Sequence, residues 1–406
     1  MPTDAATSYS APAALAAIIR SSYRVANMAV TETERGKLAN AGAAGVITGR
    51  ATVEATHRFA SRFSDSFAAD FYRQIGSGLF GSSIGMGTYL GECDDDEDRR
   101  YSNLVTEGLA SGLNVVDTAI NYRCQRSERA VGRALRDAIG SGLISRDQIV
   151  VCTKGGYVPL DRAPPESREE YGRYLRGTFF ETGVMAASDI IAGGHCMTPR
   201  FLASQIAASH ANLGLDCIDV YYLHNPEQQL DALGRDQFIA AIRTAFIQLE
   251  SEVARGTIGV YGCATWSGFR VFAASRNHLS LSELLGVARD VGGPDHHFRV
   301  IQLPVNLAMP EAIRTPTQQA DGANTAVLPL AQAMGISVVA SASLMQSQLT
   351  HDLPRGVGSI FPSLETDAQR AIAFVRSLPL SSALVGMRAT AHLHENLAAG
   401  RAVIQA

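Results

Sequence analysis

The chain has 406 residues, a formal net charge of −4, 46% hydrophobic and 18% charged residues, the balance of an ordinary soluble globular protein of one large or two small domains. No run reaches the roughly 20 uninterrupted apolar residues of a membrane helix, and no Lys/Arg cluster offers a nucleic-acid footprint, so neither partner is expected. Cysteines 93, 124, 152, 196, 217 and 263 show no C-x-x-C pair and no paired metal-ligand spacing, which predicts reduced thiols in a cytoplasmic protein, no metal, and small-molecule partners.

Residues 1–78 read as an Ala- and Ser-rich N-terminal extension with helical patches, "ALAAIIRSSYRVA" and "TVEATHRFASRFSDSFAADFYRQI". A secretory signal is not expected, because no basic segment precedes an apolar core and cleavage site. The acid-free stretch 5–31 leaves an organellar transit peptide open. From 79 to 406 eight short apolar runs alternate with amphipathic segments. They are "SSIGMGTYL" (82–90), "LNVVDTA" (113–119), "QIVVCTK" (148–154), "CIDVYYLH" (217–224), "TIGVYGCA" (257–264), "RVIQLPVN" (299–306), "GISVVAS" (335–341) and "SALVGM" (382–387).

Continuous Val/Ile/Leu/Tyr runs are what strands buried on both faces look like, and intervening helices imply parallel pairing. Tyr101, Leu104, Val105, Gly108 and Leu109 recur at helical steps. Leu202, Ile206, Ser209 and Leu213 do the same before Gly214, and Ile239, Ile242, Phe246, Leu249 and Val253 before Gly256, where a left-handed cap is expected. "CDDDEDRR" (93–100) reads as a solvated loop entering a helix. Eight strand–helix units predict an α/β fold, the (β/α)8 TIM barrel. An open doubly wound sheet would carry a phosphate-binding glycine motif after its first strand, and none follows "SSIGMGTYL". Long connections at 155–200 and 342–363 fall on the face where a barrel holds its active site.

The ends of strands two, three and four present Asp117, Lys154 and His224 at one rim, with Tyr122 just beyond the second. Singly, Asp117 could cap the helix starting near Ser127, Lys154 could point to solvent and His224 could be structural. Together they converge on one small volume, where isolated charges are costly. An Asp beside a Lys neutralises both, and an ammonium near a phenol is expected to draw its pKa down from about 10 towards the range of a general acid.

"DTAINY" (117–122), "CTKGG" (152–156), "YYLHNP" (221–226), "VIQLPVN" (300–306) and "LVGMRATAHLHENLAA" (384–399) resemble, in order and spacing, motifs of the aldo-keto reductase superfamily. The likeness covers about 82–400. It implies carbonyl reduction by hydride from a nicotinamide cofactor, with Tyr122 as general acid, Lys154 and Asp117 adjusting its acidity, and His224 orienting the substrate carbonyl. It also implies cofactor contacts at Thr265, Gln302, Asn306, Ser341, Leu344, Gly386, Arg388, His392, Glu395 and Asn396. Gln302 matches the residue that holds the nicotinamide carboxamide.

The sequence departs from the family pattern at three places: Val305 and Ser341 stand where relatives carry aromatics, and Ala264–Thr265 replaces a Ser-Asn pair. Pro304 is unexpected inside a central strand. Arg388 suits a phosphate, because its planar fork donates two parallel hydrogen bonds, so NADP(H) is favoured and NAD(H) remains possible. Tyr157 and Trp266 are candidates for the apolar wall of a substrate pocket. Cys196 beside His195 is a candidate nucleophile without an orienting acid. The alternatives are a cofactor-binding regulatory subunit on the same barrel and a redox-neutral lyase or dehydratase using the same four residues. Substrate and oligomeric state are not set by the sequence.

Overall fold

Each of the eight apolar runs yields a strand shorter than the run itself, and the eight close a parallel barrel. The computed structural model describes residues 45–320 and 322–403; the helical patch expected at 14–26 lies outside them. Helix α1 (Val53–Arg62) is followed by an antiparallel hairpin, β1 (Tyr72–Ile75) and β2 (Leu79–Ser82). Then come β3 (Ile84–Gly87), α2 (Asp95–Ala110), β4 (Val115–Asp117), α3 (Arg126–Gly140), β5 (Val150–Gly155), α4 (Arg168–Leu175) and α5 (Pro199–Leu213). The order continues through β6 (Ile218–His224), α6 (Arg235–Ala254), β7 (Ile258–Ala264), α7 (Leu281–Gly292) and β8 (Phe298–Pro304). A second hairpin, β9 (Gln318–Ala320) and β10 (Ala323–Thr325), precedes α8 (Val327–Ala333), β11 (Ser337–Ser341), α9 (Asp367–Arg376), β12 (Ser382–Gly386) and α10 (Thr390–Arg401).

The barrel runs β3, β4, β5, β6, β7, β8, β11, β12 and back to β3. Alternate residues of a strand face opposite ways. The inward set of Val115, Val150, Cys152, Val220, Tyr222, Val260, Ala264, Val300, Val339 and Leu384 forms one buried cluster. The outward set, including Val116, Val151, Tyr221, Leu223, Tyr261, Ile301, Val338 and Val385, packs with the helices in a second, larger cluster. β7 and β8 slip register at Tyr261/Gly262, and a Cβ at Gly262 would overlap the Val300 carbonyl. Only glycine permits that close backbone approach.

The helix starts obey local chemistry. Asp94 accepts from the Glu97 amide at the start of α2, and Thr366 does the same for α9. Gly214 and Gly256 take φ of 70° and 77° after α5 and α6, as expected. The patch at 52–75 is helical only as far as Arg62. Turns follow, and Tyr72–Ile75 pairs as a strand with Leu79–Ser82 because its aromatic and β-forming residues find a partner across the tight turn at Gly76–Gly78. Pro304 is the last residue of β8, where a missing N–H costs no ladder bond further along.

The segment ahead of β3 closes the N-terminal mouth of the barrel. Ala51 and Ile75 join the inward cluster, the Ala51 amide donates to Asp219 Oδ1 at 2.7 Å, and Arg146 holds the same carboxylate at 2.9 Å. Val46–Ala406 is one compact unit. At the opposite end, the connection after β5 builds its own small apolar centre from Val158, Phe179, Met185, Cys196 and Phe201.

Candidate active site

Two-residue alternation places the polar groups. Asp117, Lys154 and His224 each lie two positions beyond an inward apolar residue, namely Val115, Cys152 and Tyr222, so they continue the interior rows up to the C-terminal rim. Lys154 is fully buried. Its ammonium is ion-paired with Asp117 and donates to the Thr118 carbonyl at 2.8 Å. The other Asp117 oxygen accepts from Gln302 Nε2 at 2.8 Å across the barrel. Asp117 caps no helix; α3 starts at Arg126 with no side-chain cap.

The Lys154 ammonium lies 4.9 Å from the centre of the Tyr122 ring. Tyr89 meets that ring edge-on at 5.0 Å, and His224 at 5.8 Å. The expected fall in the Tyr122 pKa is not what the structure produces. Burial pushes the hydroxyl up, Lys154 pulls it down, and Asp117 pushes it up again, with a net rise. The physical reason is that desolvating a phenolate outweighs an ammonium whose field is offset in part by the carboxylate beside it. Tyr122 is therefore held as a phenol, the form a proton donor requires. Lys154 is lowered by burial but raised by Asp117 and Tyr122, and ends above its ordinary value, as an ammonium.

His224 is neutral: burial and then Lys154 and His195 hold its pKa well below the usual imidazole value. Its Nδ1 has no partner among the described residues. Its backbone carbonyl accepts from His195 Nε2 at 2.7 Å, and His195 Nδ1 lies 2.9 Å from Gln229 Nε2. A carbonyl only accepts and an amide nitrogen only donates, so His195 carries its proton on Nε2. Burial lowers its pKa to about 4. Gly156, with φ of 141°, leaves room for this ring; a Cβ there would stand 2.7 Å from His195 Nε2. Cys196 turns away to Thr198 Oγ1 at 3.3 Å, and its thiol is raised by burial, so the Cys–His nucleophile is not assembled. The His195–Gln229 support was not foreseen, since the two residues are far apart in sequence.

Around this centre Tyr157 accepts from Asn225 Nδ2 at 2.9 Å and sets its ring 5.0 Å from that of His224. Trp266 projects an exposed side chain from a loop whose amides at 266, 267 and 268 all donate to the buried Glu227 carboxylate. Tyr89, another exposed aromatic at the mouth, went unmarked in the sequence; its position two residues past β3 is the signal that was there to read.

The residues assigned to cofactor contact divide. Thr265 is buried, its Oγ1 without a partner among the described residues, and Ser343, beside Ser341 and Leu344, is the same. Ser341 and Leu344 are half-buried, Leu344 against the apolar cluster. Gly386 and His392 are exposed, and Asn396 is buried. Gln302 donates to Asp117, and Asn306 accepts from the Met309 amide within its own turn and donates to the Ala342 carbonyl after β11. Arg388 forks onto Glu97 at 2.8 and 2.6 Å. The "CDDDEDRR" segment is thus only half solvated: Asp95 and Asp96 face water, while Glu97 and Asp98 are buried, with Asp98 paired to Arg123 and Arg126.

A sequence profile described as "Aldo/keto reductase family" matches residues 83–354. The chain is 32% identical over 152 residues to the D-threo-aldose 1-dehydrogenase of a Pseudomonas species, covering 37% of this chain and 40% of that protein. It is 29% identical over 148 residues to the NADH-specific methylglyoxal reductase of Escherichia coli strain K12, covering 35% and 38%. These alignments span well under half of either relative. An aldo/keto reductase from Klebsiella pneumoniae, solved with NADP and acetate, shares the fold with a TM-score of 0.53 at 19% identity, over 82% of this chain and 91% of that one.

Proposed function

Because the chain belongs to the aldo/keto reductase family, matched over well more than half of its length, we propose that it interconverts a small aldehyde or ketone and its alcohol, using NADP(H) in preference to NAD(H). The observation that carries the reading is the fully buried Lys154 ammonium, fixed by Asp117 and facing the Tyr122 ring at 4.9 Å. A buried charge without a task is costly to keep.

The described residues fit a polar ligand at the barrel mouth. Thr265 Oγ1, Ser343 Oγ and His224 Nδ1 are buried without partners, and each gains about 1–3 kcal/mol when a ligand atom satisfies it. Arg388 and His392 offer exposed cationic and polar contacts further out. The nicotinamide, when bound, supplies the hydride. Tyr122 donates its proton to the developing alkoxide, and Lys154 stabilises the phenolate it leaves. His224, neutral and backed by His195, orients the carbonyl oxygen. Tyr157, Trp266 and Tyr89 line the approach. The activities for which the relatives are named, on an aldose and on methylglyoxal, support a small polar carbonyl compound as substrate.

The test follows reduced-cofactor absorbance against a panel of aldehydes and ketones, with wild type beside Tyr122→Phe. Turnover lost in the variant with cofactor binding intact supports the reading. Cofactor binding without turnover on any substrate would instead fit a regulatory subunit, and product formation without absorbance change would fit redox-neutral chemistry.

A further inference from the structure

Cys93 and Cys124 are 31 positions apart in sequence, yet their sulfurs lie 3.5 Å apart. The arrangement is built rather than incidental. Arg123, next to Cys124, has its guanidinium buried; it donates from Nε to the Glu92 carbonyl at 2.7 Å and from Nη2 to the Asp94 carbonyl at 3.2 Å. It thereby clamps the residues on both sides of Cys93, and Asp98 anchors the clamp at 2.6 Å. Arg123, Cys124 and Gln125 are three successive non-glycine residues with φ of 48°, 54° and 67°. Such left-handed backbone is held only where its surroundings enforce it, and it clusters at switch segments. Both thiols are free, Cys124 buried and Cys93 half-buried and open to reagents.

We propose that Cys93 and Cys124 are a redox-sensitive dithiol that closes to a disulfide and thereby lowers turnover at Tyr122. The second half rests on Tyr122 being the catalytic acid; the first does not. Cys93 is the more exposed of the two thiols, and its hydrogen bond with Cys124, with the Arg123 and Arg126 charges, lowers its pKa against burial, so Cys93 is the thiol that attacks first. With a small disulfide such as oxidised glutathione, Cys93 sulfur attacks one sulfur and expels one glutathione thiolate. Cys124 then loses its proton to water and attacks the Cys93 sulfur of the mixed disulfide, expelling the second glutathione. Two protein thiols are oxidised to one disulfide, and one glutathione disulfide is reduced to two thiols.

A disulfide spans about 2.05 Å, so the sulfurs must approach by about 1.5 Å. Cys124 is two residues from Tyr122, and Cys93 sits in the loop that carries Tyr89 against the Tyr122 ring. Closure therefore drags both walls of the Tyr122 site. A misplacement of about 1 Å at a reacting group costs up to about a hundredfold in rate.

The full chain is incubated with oxidised glutathione, alkylated, digested and mapped by mass spectrometry, with turnover read before and after dithiothreitol. The expected result is a Cys93–Cys124 cross-linked peptide, a fall in turnover of about tenfold or more, recovery on reduction, and a Cys93→Ser variant whose turnover resists the oxidant. Both thiols alkylated after oxidation, or glutathione retained on Cys93 alone, overturns the pair. A cross-link with unchanged turnover overturns the regulation. The mapping needs no activity, so it stands even if Tyr122→Phe shows the catalytic reading to be wrong.

Discussion

Glu97 grips Arg388 at two points, Oε1 accepting from Nε at 2.8 Å and Oε2 from Nη2 at 2.6 Å, and the carboxylate is buried while the arginine is exposed. If Arg388 is to take a phosphate of the cofactor, that phosphate has to displace a partner already in place. Glu97→Gln keeps the shape and removes the charge, so NADPH affinity should rise by about three- to tenfold with NADH affinity unchanged. Titration of both cofactors into the two proteins checks this. An equal shift for NADH and NADPH would mean that Arg388 does not read the phosphate.

Tyr122→Phe removes one hydroxyl from a ring held by Tyr89, His224 and the Lys154 ammonium. Carbonyl reduction should fall by about 10²- to 10⁴-fold, the span of a lost general acid, while cofactor affinity moves less than about twofold. A variant that keeps a tenth of wild-type turnover would remove Tyr122 from the role.

Lys154→Met leaves Asp117 buried with Gln302 as its one side-chain partner among the described residues. Breaking such a pair costs about 3–5 kcal/mol, whereas removing both charges costs less. Urea unfolding should show a large loss for Lys154→Met and partial recovery in Lys154→Met/Asp117→Asn. Wild-type stability in the single variant would contradict the buried pair.

His195 supplies a pH prediction. Its pKa is about 4 in the fold against an ordinary 6.5. Above 6.5 the imidazole is neutral in both states. As pH falls from 6.5 towards 4 the unfolded chain takes up a proton that the folded one refuses, so stability drops, by roughly 3 kcal/mol in the limit. His195→Gln can still donate to the His224 carbonyl but does not titrate. Unfolding free energy measured across this interval should fall less in the variant than in wild type; parallel curves would count against the assignment.

The barrel was legible because doubly buried strands and amphipathic helices write two different periods, and the eight runs from Ile84 to Gly386 kept them apart. Asp117, Lys154 and His224 were legible for the same reason, as polar residues closing apolar strands. What sequence could not carry was competition for partners. The sequence offers Gln302 and Arg388 to a ligand, yet Asp117 and Glu97 hold them. Each partner comes from an element far away along the chain, and no local pattern announces it. The Tyr122 pKa escapes the sequence for a related reason: the motif shows one favourable ammonium but not the depth of burial.

The floor of the barrel has its own consequence. Ala51 and Ile75 are wedged among Val115, Val150, Val220 and Val260, and Asp219 ties residue 51 to Arg146 and to the Val151 amide. A shortened version beginning at residue 83, where the family likeness starts, would lose its stopper. Water would reach the valine layer from below, and Asp219 would lose a donor. Trimming for expression or crystallisation should therefore stop before residue 46, whatever the family alignment invites.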